Sequence, residues 1–417
     1  MSCRVHQRLD QAILEHKNGN LKKAEVIYKD LLKDQPSNQD IYYYFGNLNI
    51  SLKKFKDAEK NFRKAIELKP DFFQAQMNLA NTLKELNKLN ESEEIYKKVI
   101  RLNANHHKAY FNLGCLQQEV GRLKEAEENF NKTIELKPDF FQAYMNLGSV
   151  LKNLNKFNDA ENIYKKAIEL KPNFEKAYNN LGIVQVDTVK LNEAEENFRK
   201  AINLNSNIKE SYINLDLVLK QKELLSILDK KKEKKLKKNN KIIPNFFVTK
   251  LEVNSKLITK LYNIKKMNLD KTIKYDARYG NGMCSSDFNL FKTNLNLKKV
   301  EKDLTNIMEN QLKSEVFIID SFFNILKSGS GTTPHNHVNQ FDKNSGLIDQ
   351  KYSLTYYLSV GDQNSNEPGI LKLYEPNHEI LPEEGTIVII PASRKHSAVY
   401  DGKIDRVMIG INFYTLF

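Results

Sequence analysis

Cysteine is scarce in this chain. Cys3, Cys115 and Cys284 are the only three in 417 residues. They are odd in number and widely separated, which excludes a disulfide framework or a CxxC zinc site and fits reduced thiols acting as small apolar side chains. Long apolar runs are also missing. None approaches the roughly 20 residues of a membrane-crossing helix, and the opening MSCRVHQRLD lacks the apolar stretch of a signal peptide. A soluble, cytoplasmic protein is therefore expected. There is no P-loop, no HExxH and no GxGxxG, so nucleotide hydrolysis, zinc peptidase chemistry and dinucleotide binding find no support. Net charge is +13, but residues 230–241, KKKEKKLKKNNK, hold eight lysines against Glu233. The excess is local, and nucleic acid is not an expected partner.

What the first half does contain is periodicity. The segments LKKAEVIYKDLL, FKDAEKNFRKAI, LNESEEIYKKVI, LKEAEENFNKTI, FNDAENIYKKAI and LNEAEENFRKAI recur every 34 residues without a slip. Each carries a small residue (Ala24, Ala58, Ser92, Ala126, Ala160, Ala194) and, one helical turn later, an aromatic (Tyr28, Phe62, Tyr96, Phe130, Tyr164, Phe198). That spacing predicts one helix packing into the gap its neighbour leaves. Between them lies a second helix of the type QAYMNLGSVL, whose Leu-Gly or Leu-Ala pair permits close approach. Pro36, Pro70, Pro138 and Pro172 punctuate four unit ends. These positions together resemble the tetratricopeptide (TPR) family. Six helical hairpins over 5–217 and a capping helix over 218–229 are expected, forming an all-α superhelical solenoid.

Asn78, Asn112, Asn146, Asn180 and Asn214 stand at the same place in successive units. Packing does not require asparagine, a poor helix former whose amide donates and accepts at once. Two readings stay open: the row ties adjacent hairpins, or it lines a groove for an extended peptide. The row is similar to the asparagine ladder on the concave face of some TPR proteins, and that resemblance implies a protein or peptide partner.

Residues 230–243 are expected to be a self-repelling, solvated tether. From 244 the composition changes. A helical stretch near 295–313 gives way to short β-rich runs at 315–326, 352–360, 369–376, 385–392 and 405–414, which suggest an antiparallel sandwich or barrel. His335 and His337, two apart, would share one face of a strand, and His396 follows the run GTIVIIPA. Three converging imidazoles suit a divalent ion such as Fe(II). Arg406 lies on the next predicted strand as a bidentate partner for a carboxylate.

In that order of features, residues 315–417 resemble the double-stranded β-helix (jelly roll) of Fe(II)- and 2-oxoglutarate-dependent oxygenases, especially the prolyl hydroxylase branch. The resemblance implies that His335 and His396 hold iron and that Arg406 and Tyr357 hold the distal carboxylate of 2-oxoglutarate. It implies a hydroxylase domain over 244–417, with flanking helices, whose substrate the array binds. The family's usual Asp is His337 here. A three-histidine site, a carboxylate recruited from Asp342, or a site without turnover would each account for this. A rival resemblance is to the cupins, through Gly329, the HNH triplet and Asp342, then Gly385, Pro391 and His396. The alternative function is a TPR adaptor with a metal-binding or non-catalytic barrel, or recruitment of an enzyme for a small metabolite. The stretch 276–291 could be a substrate loop or plain connection. Arg394 and Lys395 read as solvated charge, or as a lure for an acidic substrate.

Overall fold

The computed structural model describes residues 3–233, 246–254, 256–261, 283–284, 290–294, 297–326 and 330–416. It divides into two compact units, Met1–Val184 and Gln185–Phe417. Thirteen helices run from Cys3 to Glu233, forming an all-helical solenoid, and the rest of the described chain is dominated by antiparallel sheet.

In the first unit the first helices of the hairpins are α1 (Cys3–Lys17), α3 (Gln39–Ser51), α5 (Phe73–Glu85), α7 (His107–Glu119) and α9 (Phe141–Asn153). Their partners are α2 (Leu21–Asp34), α4 (Phe55–Leu68), α6 (Leu89–Leu102), α8 (Leu123–Leu136) and α10 (Phe157–Leu170), with α11 (Glu175–Asp187) following. The small and aromatic positions that define the repeat are fully buried, Ala58 and Phe62 or Ala126 and Phe130 among them. The reason for Leu-Gly is now physical. A Cβ built on Gly46, Gly114 or Gly148 would lie 2.6, 2.9 or 2.7 Å from the ring of Phe62, Phe130 or Tyr164. Each missing side chain is the socket for an aromatic sixteen residues on.

A second period was not read from the sequence. The glutamate after each small residue reaches the basic residue that precedes the next second helix: Glu25 to Lys54 at 3.2 Å, Glu59 to Lys88 at 2.9 Å, Glu93 to Arg122 at 2.5 Å, Glu127 to Lys156 at 2.6 Å. One such pair near the surface contributes little, on the order of 0.3–1 kcal/mol. A ladder of them fixes the spacing of neighbouring hairpins.

The second unit contains α12 (Leu191–Leu204) and α13 (Lys209–Glu233) together with the sheets. Lys220 on α13 donates to the Ile319 carbonyl at 2.9 Å. Lys231 pairs with Glu315 and donates to the Leu416 carbonyl. The lysine-rich stretch thus begins as packed helix, and 234–245 lie outside the described residues. The strands are β1 (Phe247–Lys250), β2 (Met283–Cys284), β3 (Val316–Leu326), β4 (Ser330–His335), β5 (Lys351–Ser359), β6 (Leu371–Leu373), β7 (His378–Ile380), β8 (Thr386–Pro391), β9 (His396–Tyr400) and β10 (Arg406–Thr415). They make a six-stranded sheet in the order β1-β8-β5-β10-β3-β2 and a four-stranded sheet β4-β9-β6-β7, every pair antiparallel.

Alternation sets what each face does. On β3, Phe323 and Ile325 turn outward to join Leu304, Met308 and Leu312 of α14 (Lys298–Leu312), with Leu354, Ile409 and Ile411, in one apolar core. Phe322, Asn324 and Leu326 turn inward and line a pocket between the two sheets.

Candidate metal centre

The pocket has a cavity volume of about 70 Å³ and is walled by both sheets. Phe322 and Asn324 from β3, Met408 and Gly410 from β10, and Ser353, Thr355 and Tyr357 from β5 form one wall. Thr332, His335, Leu371, His396 and Ala398 come from the other.

His335, His337 and His396 converge in it. One ring nitrogen from each lies within 4.8 Å of the others. His335 ends β4 and pairs in register with His396 at the start of β9. His337 lies beyond the strand, so the shared-face rule for residues two apart does not explain its position. The chain turns after His335, the His337 backbone N–H donates to the Ala392 carbonyl at 2.8 Å, and the ring stacks on His396 at 5.0 Å between centroids. His396 Nδ1 faces the Arg394 carbonyl at 3.2 Å, which assigns the proton to Nδ1 and leaves the Nε2 lone pair for the pocket. Burial, with His335 beside it, pushes His396 down to about 4, keeping it neutral.

The two Nε2 atoms of His337 and His396 stand 3.2 Å apart. Two ligand nitrogens at about 2.1 Å from one ion are separated by about 3.0–3.4 Å for angles between octahedral and tetrahedral. That pair has the spacing of two ligands on one divalent ion, and His335, with a ring nitrogen within 4.8 Å of both, would complete a three-nitrogen set with open positions.

Asp342 does not join it. Its carboxylate is fully buried; Oδ2 accepts from Lys351 Nζ at 2.8 Å and from the Asn339 backbone at 2.7 Å, and Oδ1 from the Tyr414 hydroxyl at 2.5 Å. Both oxygens are committed, so neither a recruited Asp342 ligand nor the cupin acid is available. Among the described residues the metal-competent cluster is the three histidines alone.

Arg406 is completely buried on the inward face of β10. Its guanidinium carbon sits 4.8 Å over the Tyr357 ring and 6.0 Å from that of Tyr400. Nη1 donates to the Gly369 carbonyl at 2.5 Å and to that of Pro368 at 3.3 Å. Among the described residues Nε and Nη2 have no partner. Burial pulls the guanidinium below its usual range and pushes the Tyr357 phenol above its own. Sequence reasoning missed Gly369, whose φ of +81° and absent side chain make room for Nη1; the Pro-Gly pair was its only signal. It also misjudged Arg394, which is buried, donates to the Pro376 carbonyl and lies 5.3 Å over the Phe246 ring. Lys395 is exposed. Of 276–291, only 283–284 and 290–291 are described.

Deeper on the same wall, Asp320 accepts from Asn412 at 2.8 Å. Burial raises its carboxyl to about 6, against the pull of Lys351. Because the folded value exceeds the unfolded one, the native state holds this proton more tightly, and stability falls as pH rises from about 4 to 6. The side chain keeps some contact with water, so the full shift is discounted. Asp320→Asn is expected to stabilise the fold by roughly 1–2 kcal/mol above pH 6 and not at pH 4, read from urea unfolding at both.

In the array, Asn78 Nδ2 donates to Asn47 Oδ1 at 2.7 Å, Asn112 Nδ2 to Asn81 Oδ1 at 3.2 Å, and Asn146 Nδ2 to Cys115 Sγ at 3.2 Å. Each link crosses to the preceding first helix. The donors of these three amides tie hairpins together, while among the described residues no donor reaches Oδ1 of Asn78 or Asn146. Asn180 lies on α11 and Asn214 on α13 at equivalent positions.

Tetratricopeptide repeat family models match residues 9–71, 49–114, 107–140, 141–174 and 175–208. Residues 9–208 are TPR repeats. The TPR region is similar to several solved proteins. PilF of Pseudomonas aeruginosa is 15% identical over 50% of this chain and 95% of its own, with a TM-score of 0.44. YrrB, described as a TPR protein with an unusual peptide-binding site, is 19% identical over 44% and 95%, with a TM-score of 0.39. MamA of Desulfovibrio magneticus RS-1 is 18% identical over 41% and 97%, also at 0.39. No curated protein matches the chain. No helix among the described residues is long and apolar enough to cross a membrane.

Proposed function

We propose that the chain is a TPR protein with a C-terminal Fe(II)- and 2-oxoglutarate-dependent oxygenase domain over 244–417, and that its array, 5–217, presents a protein or peptide to be hydroxylated. The observation that carries this reading is Arg406. A buried guanidinium with two nitrogens unpartnered among the described residues is costly unless an anion takes them. Imidazole binds a metal as the neutral base, so a divalent ion held by three of them would keep its whole charge. The pocket lining has no acidic or other basic side chain, and Arg406 stacks on one of its residues, Tyr357. A small dianion with one carboxylate on the ion and the other on Arg406 would offset most of this charge, and 2-oxoglutarate has that form. The facing antiparallel sheets support a double-stranded β-helix.

In this reading His335, His337 and His396 hold the ion, Arg406 and Tyr357 hold the distal carboxylate, and Phe322, Leu326 and Met408 exclude water. Iron with 2-oxoglutarate, when bound, supplies the oxidation that divides O₂ between succinate and a hydroxylated substrate. In the array, Asn78 and Asn146 would accept peptide backbone N–H groups through Oδ1, their donors being already engaged.

Purified full-length protein given Fe(II), ascorbate and 2-oxoglutarate is expected to release succinate slowly even without substrate. Arg406→Ala should lower that rate roughly 100-fold, the worth of two charge-assisted hydrogen bonds. Iron-loaded protein that consumes no 2-oxoglutarate would leave the adaptor as the better reading.

A further inference from the structure

His337 is the one member of the histidine set that no strand holds. It lies two residues beyond β4, and a ligand on irregular backbone needs other support if its ring is to stay on target. Such support is visible in a closed circuit of bonds. The His337 N–H donates to the Ala392 carbonyl at 2.8 Å, and the Ala392 N–H to the Lys351 carbonyl at 2.9 Å. Lys351 Nζ then donates to Asp342 Oδ2 at 2.8 Å. The same oxygen accepts from the Asn339 N–H at 2.7 Å, two residues past His337. Asp342 in turn donates its backbone N–H to Asn339 Oδ1 at 3.0 Å, closing a capping box at the head of the short helix Gln340–Asn344. Tyr414, from the last turn of β10, steadies the other carboxylate oxygen.

We infer that Asp342, Lys351 and Tyr414 are positioning residues for the metal ligand His337, holding its loop against the ends of β5, β8 and β10. The inference rests on the metal reading given above. Asp342 is 0%, Lys351 5% and Tyr414 1% exposed. A buried ion pair is a poor device for stability alone, since apolar side chains of the same volume would serve as well or better. What it adds is direction: a carboxylate with three donors has one orientation, and the segment it orients carries His337. The same bonds withhold the Asp342 carboxylate from the ion.

The test uses the full chain and Co(II), whose d–d absorption reports both affinity and ligand geometry. Tyr414→Phe removes one hydroxyl without changing volume and is expected to weaken Co(II) binding about tenfold or more and to alter the band shape. Lys351→Met should do at least as much. Tyr356→Phe is the control: its hydroxyl bonds the Glu252 carbonyl at 3.2 Å on the opposite face of the sheet, and its Co(II) affinity should equal that of the wild type. Folded Tyr414→Phe that binds Co(II) with unchanged affinity and spectrum overturns the inference, as does an equal loss in Tyr356→Phe. If Lys351→Met does not fold, Tyr414→Phe decides. Wild-type protein that binds no Co(II), or binds it equally well after His335→Ala and His396→Ala, overturns the metal reading and this inference together. Normal wild-type binding with insensitive Tyr414→Phe overturns this inference alone.

Discussion

If the second unit is the proposed oxygenase, Gly369→Ala is expected to lower 2-oxoglutarate turnover as far as removing Arg406 itself. A Cβ at this position would lie 1.4 Å from Arg406 Nη1, far inside any van der Waals contact, so the guanidinium must leave its seat between Tyr357 and Tyr400. The φ of +81° adds backbone strain of about 1 kcal/mol for any residue with a side chain. Relocating a fully buried arginine costs more, because its bonds to the Gly369 and Pro368 carbonyls go with it. Succinate release should fall roughly 100-fold while Co(II) binding at the histidines persists, since none of them touches Gly369. Turnover at the wild-type rate in folded Gly369→Ala would show that Arg406 does not hold the co-substrate.

The second large effect belongs to the array. Phe130 is wholly buried and its ring fills the socket at Gly114. Phe130→Ala should cost about 3–5 kcal/mol, lowering the denaturant midpoint of the helical transition followed by circular dichroism. Gly114→Ala should also destabilise, its Cβ meeting that ring at 2.9 Å. Combined, the two changes should cost less than their sum, because the new methyl enters space the ring has vacated. Additive losses would mean that ring and socket are not the coupled pair they resemble.

The array was legible because its packing is written in period. A small residue and an aromatic repeated at 34 leave few ways to bury both, and the buried positions are those read from the pattern. In the second unit, strands β3, β5, β8 and β10 follow apolar runs and were found within a residue or so. Strands β1 and β7 were not: FVTK and HEI are short and carry charge. They pair because flanking strands already stand beside them. Charged residues hid most. Lys351, Asp342 and Arg394 look like surface charges in one dimension, and only the fold reveals that each meets a buried partner. The inward set of His335, His396 and Arg406 was legible from order and spacing. His337 reached the same place for a reason that strand alternation does not contain.

The ladder of glutamates and basic residues gives the solenoid a unit of change. Each rung joins residues a fixed 29 positions apart, as in Glu59 to Lys88 and Glu127 to Lys156, and the rungs themselves recur at 34. Excising or duplicating 34 residues within the array leaves every remaining rung with a partner of the right sign, wherever the cut falls in the unit. Losing 33 or 35 breaks a rung and a ring socket at the same joint. Arrays of this type can therefore lengthen or shorten by whole hairpins, changing how much of a partner they span while the joints that hold them stay the same.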